Sequence, residues 1–578
     1  MTNEHLKTAI LSQKPTEQQK EAIFSDDLEF LLRAAPGSGK TWTSCRRFIW
    51  RGANWNYSAG GLALLSFTNV AISEFKQAAN VVGCGNLLTD PNYVGTFDSF
   101  IERYIISPFG HILTKKVKRP SLFIAPRPGD RNNNNLRVWI NGPGGRKQPI
   151  PAWDIIPFPE NGKTVFQYKK KNLPIEARKA IHSFLSLGYY THAHRAYWSC
   201  LLLNKRPHLA KLLARRFPEI IVDEAQDSNA WLLILLNFLR KNGSKITLVG
   251  DPNQCIYEFS MADATSLPNL KARWSIPEKP LSKSFRCRNP IADAVRNIGG
   301  NRAFSGCGDP EQEGHGAYLV KEDKDGPVSV IDKFTLLLER SGIKSESAAI
   351  ICRAHNQLES LRGVANYSSL KGKTRDLATA AFLRDTRHDY SSAFKTVYRI
   401  VKELTGNDAL WDMIDENPGG EESMIVSLAI WRYVKSPKLL PTVFENGIDW
   451  ITHVRDGLNK LIEEIGITVK VNLGHNIKKT GLKDDQMPLF TAHSESPKIR
   501  QDTIHQVKGE SIDAVMAVGS TKFWNSVVKA VQDNTNSENR RLAYVAMTRA
   551  RHVLVVSLPG THFDKHAKTW KKWGFSIL

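Results

Sequence analysis

The sequence predicts an α/β fold on parallel sheets, laid out in two successive blocks of chain. Three observations predict it. An apolar run, Leu28 to Leu32, passes into Ala34-Ala35-Pro36-Gly37-Ser38-Gly39-Lys40-Thr41 and then into a helical pattern. Strand, glycine-rich turn and helix in that order make a phosphate-binding P-loop. Short buried-strand patterns then recur at Leu62 to Asn69, Tyr93 to Phe100, Glu219 to Val222 and Lys245 to Val249, with polar residues at their ends. A second α/β pattern follows residue 290, with strands expected at Ser347 to Arg353, Ala514 to Val518 and Val553 to Val556.

Composition narrows the class. At 578 residues the chain is too long for one core, so two to four domains are expected. Hydrophobic residues make up 41%, which suits a globular protein. The formal net charge of +22 points to a polyanionic partner, nucleic acid before others, over a merely basic surface. The cysteines (Cys45, Cys84, Cys200, Cys255, Cys287, Cys307, Cys352) are dispersed, which argues for a reducing compartment and against a zinc ribbon or iron–sulfur cluster. No apolar run reaches the roughly 20 residues of a membrane span and the N-terminus has no signal-peptide pattern, so a cytoplasmic location is expected.

Each element then carries its own chemistry. Pro15 to Ile23 looks like a helix capped by Thr16; Gln19 can offer its amide to an adenine edge, or sit on a plain surface helix. In the P-loop, Gly37 and Gly39 let backbone N–H groups approach phosphate oxygens, Lys40 reaches the β and γ phosphates, and Thr41 can hold Mg²⁺, although Ala34 replaces the usual first glycine. Phe67 can stack on a base, and Thr68, Asn69 and Thr96 can bond phosphates; core packing is the alternative for each. Residues from about 101 to 205 form an irregular stretch with basic clusters at Lys115 to Arg119 and Lys169 to Lys171, read as an inserted subdomain.

Asp223 and Glu224 close a buried strand. Asp223 can bind Mg²⁺ through water and Glu224 can deprotonate the water attacking a γ-phosphate. Gln254 can sense that phosphate, while Tyr257 and Phe259 can face nucleic acid. Arg286 is a candidate arginine finger, a role worth about 10³-fold in rate. Amphipathic helices between about 365 and 495, among them Tyr390 to Leu404 and Met424 to Tyr433, suggest a second insertion. A strand pattern at Thr503 to Glu510 and a helix at Arg540 to Arg551, ending in Arg549, complete the chain.

These blocks, in this order, resemble the UvrD/Rep-type superfamily 1 helicases over more than half the chain. The resemblance implies two RecA-like parallel-sheet lobes, each with a largely helical insertion: lobe 1A over 1–100 and 206–280 with insertion 101–205, and lobe 2A over 281–364 and 496–578 with insertion 365–495. It implies a 3′→5′ DNA-dependent ATPase using ATP and Mg²⁺. Gln19 and Phe285 would flank adenine, and Ala35, Pro36, Gly37, Ser38, Gly39, Lys40, Thr41, Asp223 and Glu224 would handle phosphate, metal and water. Arg286 and Arg549 would be fingers, Gln254 a sensor, Gly509 part of the nucleotide site, and His505 part of the DNA contact. Departures lie at Asp98, where histidine is common, at Ser260, and at Glu510, which follows Gly509 directly. A narrower likeness, through Gly95 to Glu102, Ile105 to Phe109 and Ser284 to Cys287, is to the helicase-like subunit of Gabija antiphage systems, which works beside an OLD/TOPRIM-type nuclease. A stand-alone repair helicase and a non-catalytic DNA-binding scaffold are the rival readings.

Overall fold

The computed structural model describes residues 3–114, 119–123, 134–141, 147–160, 162–256, 266–323, 326–353, 357, 361, 372–387, 389–405, 410–411, 413–414, 420–441, 447–466, 473–477 and 499–578. The chain divides into two compact units, residues 1–324, 336–343 and 504–578 in one and residues 325–335 and 344–503 in the other.

The first unit is organised on a six-stranded, wholly parallel sheet. Its strands are β1 (Leu31–Ala34), β2 (Leu62–Ser66), β3 (Tyr93–Thr96), β4 (Glu219–Val222), β5 (Lys245–Gly250) and β6 (Glu278–Leu281), in the order β6-β1-β5-β4-β2-β3. Parallel strands are buried on both faces, and these read as apolar runs for that reason. Leu32, Ala34, Leu62, Leu64, Ile221 and Val249 pack with Ile23, Phe48, Ile49 and Phe75 on one side. Their alternates, among them Leu31, Ala63, Leu65, Ile220, Val222 and Leu248, pack with Leu232, Leu235, Leu236 and the insertion on the other.

Several boundaries differ from expectation. The first strand is Leu31–Ala34 and not Leu28 to Leu32; its backbone pairs in register with Leu248 to Gly250 and Glu278 to Leu281. The expected strands Leu62 to Asn69 and Tyr93 to Phe100 stop at Ser66 and Thr96, because Thr68 and Thr96 each cap a helix that starts at the next residue. The described residues of the stretch 101–205, expected to be irregular, form regular elements. They include the hairpin Arg137–Asn141 with Lys147–Pro151, the three strands Ile156–Glu160, Lys163–Tyr168 and Lys171–Asn172, and the helices Glu176–Ser186 and His192–Lys205.

The same unit holds a second parallel sheet, β7 (Gly316–Lys321), β8 (Ile512–Val518), β9 (Ala550–Leu558) and β10 (Ser576–Ile577), ordered β8-β9-β7-β10. The helix expected at Arg540 to Arg551 is Glu538–Met547; Thr548 ends it, and Ala550 and Arg551 already belong to β9. Of the strand expected from Thr503 to Glu510 only Thr503 is strand, and residues 504–509 are turns. The other unit pairs Ala348–Cys352 with Arg500–Thr503 and packs helices Gly372–Arg387, Tyr390–Thr405, Glu421–Lys435 and Gly447–Glu464 around Trp411, Tyr433 and Trp450. Lys115, Lys116, Lys118 and the loop at Lys483 lie outside the described residues. No helix among the described residues is long and apolar enough to cross a membrane.

His194 ties the insertion together. Its Nε2 donates to the Ile155 carbonyl at 2.7 Å, and burial pushes the imidazole down to about 4 despite that bond. A depressed value means stability is full above pH 6.5 and is lost as pH falls towards 4, by roughly 3 kcal/mol for a shift of this size. Denaturation midpoints of wild type and His194→Gln, followed from pH 7 to 4.5, should show a steeper acid loss in wild type. Identical slopes would contradict this assignment.

Candidate nucleotide site

The site lies at the carboxyl ends of β1, β4 and β5, where ligands gather in open parallel sheets. The turn after β1 reaches helix Lys40–Ala53 through two left-handed glycines, Gly37 (φ +68°) and Gly39 (φ +79°). Ser38 Oγ donates to the Ala35 carbonyl at 2.7 Å and closes the turn. Behind it, Gln19 is buried: its Oε1 accepts from Thr16 N–H, completing a capping box, and its Nε2 donates to the Ser38 carbonyl at 3.2 Å.

Lys40 stands 3.9 Å from Glu224 Oε1, and Thr41 Oγ1 donates to Asp223 Oδ2 at 3.1 Å. Asp223 is fully buried, and its other oxygen, Oδ1, has no hydrogen-bond partner. Burial, then the Glu224 charge, pushes Asp223 up to about 7. Burial acts the same way on Glu224, yet Lys40, Lys508, the Gln226 amide and Arg549 outweigh it and hold Glu224 below the usual carboxylate range. A hydroxyl, an orphaned carboxylate oxygen and a neighbouring ionised glutamate form a hard oxygen donor set that fits Mg²⁺. Glu224 itself adopts left-handed backbone (φ +53°), uncommon for a residue with a Cβ.

Segments from the far end of the unit's sequence meet this turn. Phe285 N–H donates to the Gly37 carbonyl at 2.8 Å, and the Phe285 ring is 49% exposed. A methyl group built on Gly37 would lie 2.6 Å from Arg286 Cβ and 2.8 Å from Ser284 Oγ. Arg286 donates to Ser511 Oγ at 2.7 Å and to the Thr548 and Gly509 carbonyls at 3.1 and 3.3 Å. Arg549, buried, donates to the Val545 and Glu510 carbonyls and, at 3.4 Å, to Gln254 Oε1. Burial, with Arg286 beside it, pushes its guanidinium down to about 9. Neither arginine has an ion pair among the described residues.

One hydrogen-bond chain runs through the site. From Arg549 it passes to Gln254, then from Gln254 Nε2 to Asp251 Oδ2 at 2.9 Å. Asp251 N–H donates to Gln226 Oε1 at 3.1 Å, and Gln226 Nε2 donates to Glu224 Oε2 at 2.5 Å. Gln226 was not singled out by sequence reasoning, and neither was Lys508. The latter holds both oxygens of Asp227, at 2.7 and 2.6 Å, with both side chains largely buried. The only sequence signal for that pair was proximity of each to a residue already chosen, Glu224 and Gly509.

The residues expected to meet DNA fall in two places. Phe67, Thr68, Asn69 and Thr96 gather at the adjacent ends of β2 and β3, where Ser66 pairs in register with Thr96. The Phe67 ring lies 5.7 Å from Phe97, Thr68 and Asn69 are exposed, and Thr68 and Thr96 oxygens are engaged as helix caps. His505 is on a turn, its Nε2 donating to the Ile256 carbonyl at 3.2 Å. Tyr257, Phe259 and Ser260 lie outside the described residues. Asp98 pairs with Arg195 at 2.9 Å.

Residues 15–123 and 163–274 match the model of the UvrD/REP helicase N-terminal domain, and residues 450–560 that of the UvrD-like helicase C-terminal domain. The chain is similar to DNA helicase II of Escherichia coli strain K12, 23% identical over 94% of this chain and 84% of that protein. The probable DNA helicase II homolog of Mycoplasma pneumoniae matches with the same identity and coverage. ATP-dependent DNA helicase srs2 of Schizosaccharomyces pombe is 25% identical over 49% of this chain, which spans about a third (34%) of that protein.

Two outcomes follow from this geometry. Gly37→Ala should weaken Mg·ATP binding at least about tenfold, because a Cβ is strained at this φ and collides with Arg286; unchanged affinity in equilibrium titration would contradict it. Lys508→Met should destabilise the protein by about 3 kcal/mol by leaving Asp227 buried and unpaired. A double-mutant cycle with Asp227→Asn should return a coupling of at least about 1 kcal/mol, and additivity would remove the pair from the account.

Proposed function

We propose that this chain, which carries UvrD/Rep-type helicase N- and C-terminal domains and is homologous to DNA helicase II, is a DNA-dependent ATPase that translocates 3′→5′ and acts as a helicase-like motor. The observation that carries this reading is a pair of arginines beside a P-loop turn that touch no carboxylate among the described residues: Arg286 against Gly37, and Arg549 on Gln254. A desolvated guanidinium with no carboxylate in direct contact complements an anion, and a triphosphate on the P-loop supplies one.

In this reading the backbone from Ala35 to Gly39 and the Lys40 ammonium hold the phosphates. Thr41 and Asp223 would hold Mg²⁺, which would supply positive charge to the phosphates. Glu224, ionised, accepts a proton from the attacking water and orients it. Gln254 reports the γ-phosphate, Arg286 and Arg549 neutralise charge as it develops there, and Gly509 borders the nucleotide. Adenine lies between the exposed Phe285 ring and the Gln19 side. Phe67, Thr68, Asn69, Thr96 and His505, with Tyr257 and Phe259, contact a DNA strand.

A finer reading rests on the stretch Gly95 to Glu102 and on Ser284 to Cys287. Both support a place beside the helicase-like subunit of Gabija antiphage systems, in the cytoplasm, with an OLD/TOPRIM-type nuclease as partner. Co-purification with a co-encoded nuclease tests that reading, and its failure would favour a stand-alone repair helicase.

For the motor itself, single-stranded DNA should stimulate ATP hydrolysis in wild type. Lys40→Ala should abolish turnover, and Glu224→Gln should retain Mg·ATP while losing at least about 100-fold in rate. No stimulation by any DNA, or wild-type rates in both variants, would overturn the proposal. DNA affinity should also fall steeply with salt as phosphate contacts release counter-ions.

A further inference from the structure

We propose that a cleft in the first insertion binds the 5′-phosphate monoester of a nucleotide, the group shared by a free nucleoside monophosphate and a 5′-phosphorylated DNA end. The cleft lies between helix Glu176–Ser186 and the turn Asn134–Leu136, and its volume is about 520 Å³, within the range of small-ligand pockets. Glu176, Lys179 and Ser183 fall on one helical face, with His182 beside them; Asn134 and Arg137 face them from the turn and the strand it leads into.

The chemistry of the lining selects the ligand. Among the described residues, neither Arg137 nor Lys179 has an ion pair, so two positive charges line one cleft against the single negative charge of Glu176. A phosphate monoester carries close to two negative charges at neutral pH, whereas an internal phosphodiester carries one. The Asn134 amide and Ser183 hydroxyl add neutral donors. Glu176 is the one carboxylate among the described lining residues. It opposes a bare inorganic anion but accepts well from ribose hydroxyls or a base amino group, which turns the preference towards a nucleotide.

The cleft is also built on fixed elements. Ala180, Ile181, Phe184 and Leu136 are buried in the insertion core, and the His182 ring stands edge-on to Trp198 at 5.3 Å. Ligand groups carried on a packed helix keep their spacing without a ligand present. None of these residues belongs to the P-loop site, so the inference does not rest on the motor reading.

The test uses the full chain carrying Lys40→Ala, which weakens the P-loop site, titrated with AMP, with 5′-phosphorylated single-stranded DNA and with its 5′-hydroxyl counterpart. Adding Arg137→Gln with Lys179→Gln should weaken binding of AMP, of the phosphorylated strand or of both by at least about tenfold. The 5′-hydroxyl strand should be affected less. Loss confined to the phosphorylated strand assigns the cleft to DNA ends, and loss shared with AMP assigns it to free nucleotides. With Lys40 intact, the same substitutions should leave ATP hydrolysis within about twofold of wild type. Lys179→Gln alone, at an exposed position, serves if the double substitution disturbs folding. Equal affinities for every probe with and without the substitutions would overturn the inference.

Discussion

The contact on which the nucleotide site depends is the 2.8 Å hydrogen bond from Phe285 N–H to the Gly37 carbonyl. It sets the segment Ser284–Arg286 directly against the P-loop turn, in space that only a residue without a Cβ leaves open. From that contact the rest is placed. Ser284 Oγ accepts from the N–H groups of Arg286 and Cys287 and fixes the bend, so that Arg286 runs across to the carbonyls of Gly509 and Thr548. The next residue after Thr548 is Arg549. A single backbone approach thus brings three separate stretches of sequence to one phosphate-sized region.

Charge at this region is arranged in opposition. Lys40, Arg286 and Arg549 converge on a carboxylate pair whose two members respond differently to it. Asp223, deeper and fully buried, is pushed towards the neutral form, while Glu224 is kept ionised by the cations around it. Two titratable groups held apart in this way can take different roles, one as a metal ligand and one as a base. The strain in the Glu224 backbone fits the same picture, since left-handed backbone at a non-glycine residue persists only where its surroundings impose it.

Much of the fold was legible because parallel strands buried on both faces leave unbroken apolar runs, as Glu219–Val222 and Lys245–Gly250 do. Strand ends were harder. Thr68 and Thr96 look like strand residues by composition, but each hydroxyl accepts a backbone N–H three residues on and starts a helix. Arg549 was expected at a helix end, and it stands between a helix that stops at Met547 and a strand that starts at Ala550. Partners far apart in sequence left no local signal: Lys508 with Asp227, or Gln226 between Glu224 and Asp251, are products of the fold, not of any spacing.

The account stands on an anion held between Lys40 and two arginines. Single-turnover ATP hydrolysis by Arg549→Ala, set beside equilibrium binding of Mg·ATP to the same variant, tests it most directly. The predicted result is a chemical step slowed by about 10³-fold with the nucleotide still bound. A chemical step as fast as wild type would contradict it.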